Sequence, residues 1–249
     1  MRIILSPTKK MRCDPESLPC SGLPVFLNRT EEILCWLQSR SPADLQALWG
    51  CNDDLAAQNL DRIRNMDLRS RLTPAILAYE GIAFQYMAPA VFEDSHLSYV
   101  QEHLRILSGF YGALKPLDGV TPYRLEMQSK VKIGPHKDLY SFWGSSLYEE
   151  IHPQSGIILN LASKEYSKCI EKYLQPSDRF VTCTFAETVK GKLIQKGTFA
   201  KMARGEMVRY LAENRITDPM DARAFDRLNF HFRPELSTDT EYTFERIPE

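Results

Sequence analysis

Gly156-Ile157-Ile158-Leu159-Asn160-Leu161-Ala162-Ser163 is the stretch on which the fold turns. Three aliphatic residues after a glycine, closed by a polar turn, predict a short buried strand. Lys164-Glu165-Tyr166-Ser167-Lys168 then has helical character, with Ser163 at the N-cap position. The chain begins the same way, since Arg2-Ile3-Ile4-Leu5 runs into Ser6-Pro7-Thr8. If these two strands are parallel neighbours, their polar loops leave from one carboxyl edge, where α/β sheets bind ligands. Ser6 and Asn160 then share that edge, and the helix after Ser163 can either hold an anion or simply be capped by the serine.

Outward from this pair, the first half is mainly helical. Thr30–Gln38 carries Ile33, Leu34 and Leu37 on one face, and Ser41-Pro42-Ala43-Asp44 combines an N-cap, a first-turn proline and an acidic first turn. Further helices are expected near Leu55, Leu60 and Ile63, after Thr73-Pro74, and from about Ser95 with Leu97, Val100, Leu104 and Leu107 inward. Beyond Gly134 the pattern is mixed. Arg179–Phe185 reads as a strand paired through Lys190-Gly191 with Leu193–Gln195, and Phe199–Arg215 as a helix with Phe199, Met202, Tyr210 and Leu211 inward. Leu228–Phe232 and Tyr242–Arg246 suit an antiparallel pair. With no linker, repeat or low-complexity segment, the expectation is α+β: a single mixed α/β domain over residues 1–249, its central mixed sheet flanked by helices.

Composition narrows the function classes. Of 249 residues, 43% are hydrophobic and 25% charged, enough apolar surface for a folded core. The net charge is −1, from 31 basic and 32 acidic residues, so any pull on nucleic acid must come from local clustering. No apolar run approaches the roughly 20 residues of a membrane span. The opening apolar run is too short for a signal core, so the chain is expected in the cytosol with its six cysteines reduced. Five histidines without i, i+3 or i, i+4 spacing offer no zinc signature, and neither metal nor cofactor is expected. Rossmann, Walker, G-x-S-x-G and H-E-x-x-H patterns are all absent, which leaves no established catalytic motif.

Three basic segments stand out instead. Lys9 and Lys10 lie in the loop after the first strand. Arg105 precedes Gly109-Phe110-Tyr111-Gly112 and Lys115, where a helix running into a Gly-x-x-Gly turn could bring backbone N–H groups to a phosphate, as in a helix-hairpin-helix. Downstream come Pro122-Tyr123-Arg124-Leu125-Glu126-Met127, Lys130, Lys132, Lys137 and Tyr140, with Phe142-Trp143-Gly144 supplying aromatic faces. The third segment is Lys201-Met202-Ala203-Arg204-Gly205. A mid-helix glycine costs about 1 kcal/mol, which points to close approach by another backbone or a ligand. The aromatics suit a core and the lysines a solvated face equally well.

Taken in order, Leu5-Ser6-Pro7-Thr8-Lys9, Leu107–Gly112, Lys115-Pro116-Leu117-Asp118, Pro122–Met127, Lys137–Tyr140, Asn160–Ser163 with Glu165-Tyr166, and Lys201 with Ala203-Arg204-Gly205 resemble the peroxide stress protein YaaA family over nearly the whole chain. The resemblance implies a bacterial cytosolic protein with a positively charged cleft and a helix-hairpin-helix-like element, able to bind DNA. It also implies protection against oxidative stress and an indirect link to iron homeostasis, through a low pool of free iron. A hairpin glycine expected near Leu55-Ala56-Ala57-Gln58 is absent. The expected DNA contacts are Lys9, Lys10, Arg105, Gly109, Gly112, Lys115, Arg124, Lys130, Lys137, Lys201 and Arg204, with low sequence specificity. A polar set of Ser6, Tyr123, Glu126, Tyr140, Trp143, Asn160, Ser163 and Tyr166 forms a candidate pocket. That set keeps open an enzyme acting on a nucleotide or damaged nucleobase.

Overall fold

The computed structural model describes residues 1–247; Pro248 and Glu249, the end of the expected domain, lie outside it. Eight strands form the main sheet: β1 (Arg2–Leu5), β2 (Leu104–Ser108), β3 (Gly112–Leu114), β4 (Ile157–Asn160), β5 (Arg179–Val189), β6 (Lys192–Ile194), β7 (Phe230–Phe232) and β8 (Glu241–Arg246). Their order is β7-β8-β5-β4-β1-β2-β3, with β6 hairpinned onto β5. The five middle strands are parallel and the two edges antiparallel. Ile3, Ile4, Ile158 and Leu159 are wholly buried, as a parallel strand covered on both faces requires. Arg2 pairs with Ile158 and Ile4 with Asn160, so the opening pair of strands runs side by side as expected.

Ten helices surround the sheet among the described residues: α1 (Leu27–Gln38), α2 (Pro42–Trp49), α3 (Asp53–Arg64), α4 (Ala75–Ala78), α5 (Ile82–Met87), α6 (Asp94–His103), α7 (Leu139–Trp143), α8 (Ser146–Ile151), α9 (Lys164–Glu171) and α10 (Gly197–Glu213). Ser41 caps α2 by accepting the Asp44 N–H, and Pro42 opens it, as the sequence indicates. One continuous hydrophobic cluster joins these helices to both halves of the sheet. No helix among the described residues is long and apolar enough to cross a membrane.

Two expectations are corrected. The helix begun near Ser95 stops at His103, and Leu104–Ser108 is a strand whose five residues are all buried. A short apolar run of this length fits either state, and pairing with β1 decides it. Gly109-Phe110-Tyr111-Gly112 is therefore the turn of a β-hairpin and not part of a helix-hairpin-helix. It packs inside the protein. A Cβ on Gly109 would sit 2.9 Å from the Leu125 carbonyl oxygen, and Gly112, at φ +79°, abuts Trp143 and Leu147. The second correction concerns α10, which buries Ala200, Ala203, Met207, Val208, Leu211 and Ala212; Phe199, Met202 and Tyr210 are only half-buried. The small-residue face wins because α5 lies directly on it. A Cβ on Gly205 would stand 1.8 Å from the Ala83 carbonyl oxygen, so the costly glycine serves a backbone crossing.

Candidate functional site

Because β1 and β4 are parallel, the loops that follow them emerge together. Ser6 Oγ accepts the Ser163 N–H at 2.8 Å and donates to Ser163 Oγ at 3.2 Å, joining the loops. The Ser163 hydroxyl thus faces Ser6 and makes no cap bond to α9, although the residue occupies the N-cap position. Above this junction is a cavity of about 440 Å³. Its lining comes from five parts of the chain: Leu5–Lys10, Glu80–Ala83 at the start of α5, Tyr123–Glu126, Leu161–Tyr166 without Ala162 and Lys164, and Lys201 and Arg204 of α10.

The wall at Tyr123 is fixed by a chain of hydroxyls. Ser108 Oγ accepts the N–H groups of Phe110 and Tyr111, at 3.1 and 2.9 Å, which occupy its lone pairs. Its own proton therefore goes to Tyr123 Oη at 2.6 Å, and Tyr123 donates onward to Tyr79 at 2.8 Å. Burial raises the Tyr123 and Tyr166 phenols well above their ordinary range, so both remain neutral walls.

Five basic side chains and three carboxylates line the cavity. Lys9 pairs with Glu126 at 2.8 Å and Lys10 with Glu80 at 3.0 Å. Burial raises the Glu165 carboxyl, against the lowering effect of the Gln128 N–H that it accepts at 3.2 Å. The two arginines are different. Arg124 has one long bond, to the Trp49 carbonyl at 3.4 Å, and its buried Nε has no partner. Arg204 has neither hydrogen bond nor ion pair among the described residues, its Nε is likewise buried and unpartnered, and burial lowers its pKa. A cavity with one guanidinium group unanswered and a second held by a single long bond is suited to take an anion.

Ser6, Lys9, Lys10, Tyr123, Arg124, Glu126, Ser163, Tyr166, Lys201 and Arg204 are thus gathered from the expected set. The others lie elsewhere. Lys130 lines an adjoining groove of about 740 Å³ with Arg40, Trp36 and Gly50, sharing Lys9 and Glu126 with the cavity. Asn160 supports the loop from behind, donating to Thr182 Oγ1 at 3.2 Å and accepting the Ala162 N–H at 2.9 Å. Lys137 and Tyr140 border a smaller cleft, where the Tyr140 hydroxyl donates to the Glu165 carbonyl at 3.0 Å. Trp143 is buried and donates to the Gly109 carbonyl at 3.1 Å. Arg105 is buried, with Nη1 donating to the Gln101, Glu102 and Leu104 carbonyls. Lys115 is exposed beyond the hairpin, while its backbone N–H donates to Asp118 at 2.8 Å. The central basic segment therefore does not enter the cavity as a unit; of its basic residues only Arg124 lines it.

Sequence reasoning missed Glu80, Gly81, Ile82 and Ala83, and did not single out Glu165 for the pocket. Glu80-Gly81 just after the apolar run Ala75–Tyr79 was the available signal. Gly81 is needed there because a Cβ would fall 2.6 Å from the Thr8 side chain.

Comparison with known proteins agrees with the full-length resemblance. The family model described as peroxide stress protein YaaA matches residues 1–236. A UPF0246 protein of Agathobacter rectalis is 61% identical over 246 residues, covering 99% of each chain. One from Lachnoclostridium phytofermentans is 55% identical over 98% of this chain and 96% of its own, and one from Pediococcus pentosaceus 47% identical over 98% and 97%.

Proposed function

The chain belongs to the peroxide stress protein YaaA family, and from that premise we propose that it binds DNA along the groove that leads into this cavity. Arg40 and Lys130 line the outer groove, Lys9 stands where the two meet, and Lys10, Arg124, Lys201 and Arg204 continue inward. The observation that carries the reading is convergence: basic side chains from the first strand loop, the middle of the chain and α10 line one concavity, although the net charge is only −1. Such contacts hold phosphates and give little sequence preference. Occupying DNA in this way would limit oxidative damage by ferrous iron held on the phosphates, and would tie the protein to iron homeostasis without its binding the metal itself.

Titrating salt against a labelled duplex tests this directly. A phosphate-driven complex weakens steeply as salt rises. Affinity flat in salt, or unchanged in a Lys201→Glu/Arg204→Glu variant, refutes the reading; a Lys130→Glu/Lys201→Glu variant gives the same test on exposed positions alone. A second reading, an enzyme acting on a nucleotide or damaged base, draws support from Arg124 and Glu126 lining an enclosed site beside Ser6 and Tyr123. Release of free base from an oligonucleotide carrying oxidised purines is its assay, and no release at stoichiometric protein ends it.

A further inference from the structure

Other buried or half-buried guanidinium groups in this chain find partners within the protein, although the Nε atoms of Arg105 and Arg223, like that of Arg204, have none. Arg29 donates to Ser146 Oγ at 2.9 Å and lies over Phe142 and Trp143; Arg105 donates to three carbonyls; Arg227 reaches Glu206 and Glu213. Arg223 at least lies over the Phe232 and Tyr242 rings, whereas Arg204 has no hydrogen bond, ion pair or ring contact among the described residues. It stands between the main cavity and a second cleft behind it, where its neighbour Cys183 is a buried thiol pushed up to about 12 and so carries no charge to balance it. The carboxylates that share its cavity are engaged: Glu126 by Lys9, Glu80 by Lys10, and Glu165 by the Gln128 N–H. Holding a desolvated cation without a partner is costly, and a bound anion offsets that cost.

The rest of the cavity is not anion-seeking. Leu5, Ile82, Leu125 and Leu161 share its walls with the Tyr123 and Tyr166 rings, so the occupant has an apolar or aromatic body as well as a charged head. At about 440 Å³ the space suits one small molecule or a single nucleotide, so a duplex would lie in the groove and across the cavity mouth.

Building on the DNA reading, we propose that the cavity is a mononucleotide site, with the phosphoryl group held by Arg204 and Arg124 and the base received between the apolar wall and the two tyrosines. Lys9 and the Gln128 N–H each take one oxygen, of Glu126 and Glu165 respectively, and the second oxygen of each carboxylate accepts N–H groups from the base. Two sources share this chemistry: a free nucleoside monophosphate and the phosphorylated 5′ end of a DNA strand.

Calorimetric titration of the full chain separates them. The probes are the four deoxynucleoside 5′-monophosphates, the parent nucleosides, and a short single strand with and without a 5′ phosphate. A monophosphate should bind saturably and roughly tenfold or more tighter than its nucleoside, the scale of charge-assisted hydrogen bonds. That preference should vanish in Arg204→Met and shrink in Arg124→Met, with circular dichroism showing both folded. The same preference for the 5′-phosphorylated strand identifies a strand end as the source; preference confined to the monophosphate identifies the free nucleotide. If nucleosides bind as tightly as monophosphates, or if Arg204→Met binds like the wild type, the proposal is overturned. An Arg40→Glu/Lys130→Glu variant tells this failure from that of the groove reading. It should weaken duplex binding and leave the monophosphate affinity alone, whereas salt-independent duplex binding beside intact nucleotide binding would sink the groove alone.

Discussion

Replacing Arg204 by methionine should make the protein more stable. Among the described residues the guanidinium has no carboxylate, carbonyl or hydroxyl partner, and its Nε is buried. Methionine keeps most of the aliphatic stem and its packing, and removes the unanswered charge. Burial lowers the arginine's pKa in the folded state, so the charged form is less favourable there than in the unfolded chain. At neutral pH both states are fully protonated, so the penalty is fully present and does not vary with pH. Exchanging buried ionic groups for apolar ones commonly stabilises by about 1–4 kcal/mol. A gain of about 1–3 kcal/mol, at roughly 2–4 °C per kcal/mol for a chain of this size, raises Tm by about 2–12 °C. Thermal melts in a buffer free of phosphate read this out. Added phosphate should then raise the Tm of the wild type and leave that of Arg204→Met unmoved. A melting temperature that falls by several degrees would mean the guanidinium already has a stabilising partner within the protein, and the case for a ligand anion would go with it.

Gly205→Ala should be among the most damaging small substitutions. Its Cβ would overlap the Ala83 carbonyl oxygen, a backbone atom at 1.8 Å that cannot rotate away, so α5 and α10 must separate at a cost of about 3 kcal/mol or more, read from urea midpoints. Asp118 gives a pH signature. Burial raises its carboxyl from 3.8 to about 6, against the Lys115 N–H. Between those values the folded state binds a proton that the unfolded state has lost, so this group's contribution to stability falls as pH rises from about 4 to 6 and is constant above. Asp118→Asn should remove that slope, worth about 3 kcal/mol in full at about 1.4 kcal/mol per pKa unit, of which denaturation of both proteins at pH 4.5 and 7 should read about 2 kcal/mol. Lys201 is exposed and makes no ion pair among the described residues; if it neutralises one phosphate, Lys201→Ala lowers the slope of log affinity against log salt by about 0.9, and an unchanged slope excludes the contact.

The fold was legible where one physical signal dominated. Ile3-Ile4-Leu5 and Ile157-Ile158-Leu159 are too apolar for any exposed strand, and Lys190-Gly191 supplies left-handed backbone for a hairpin, at φ +50° and +75°. Ser41-Pro42 likewise marks a helix start by local chemistry alone. Leu104–Ser108 was misread because five buried residues carry no period that separates strand from helix. The Gly109–Gly112 turn followed it into error, since a hairpin and a helix end use glycine for the same conformational freedom. In α10 the large side chains looked like the core, yet the close-packed face is the one with alanines and a glycine, because only small residues admit α5.

The amino-acid sequence by itself determined the two buried strands, the polar loops that follow them and the identity of the basic residues that could matter there, while their parallel pairing is set by the tertiary structure. Tertiary structure decided which of those residues meet and which charges stay unanswered. Lys9 and Glu126, Lys10 and Glu80 pair across long stretches of chain, while Arg204 finds no partner among the described residues. Local propensity is written in neighbouring residues, whereas the balance of charge in a cavity depends on distances in space that folding alone sets.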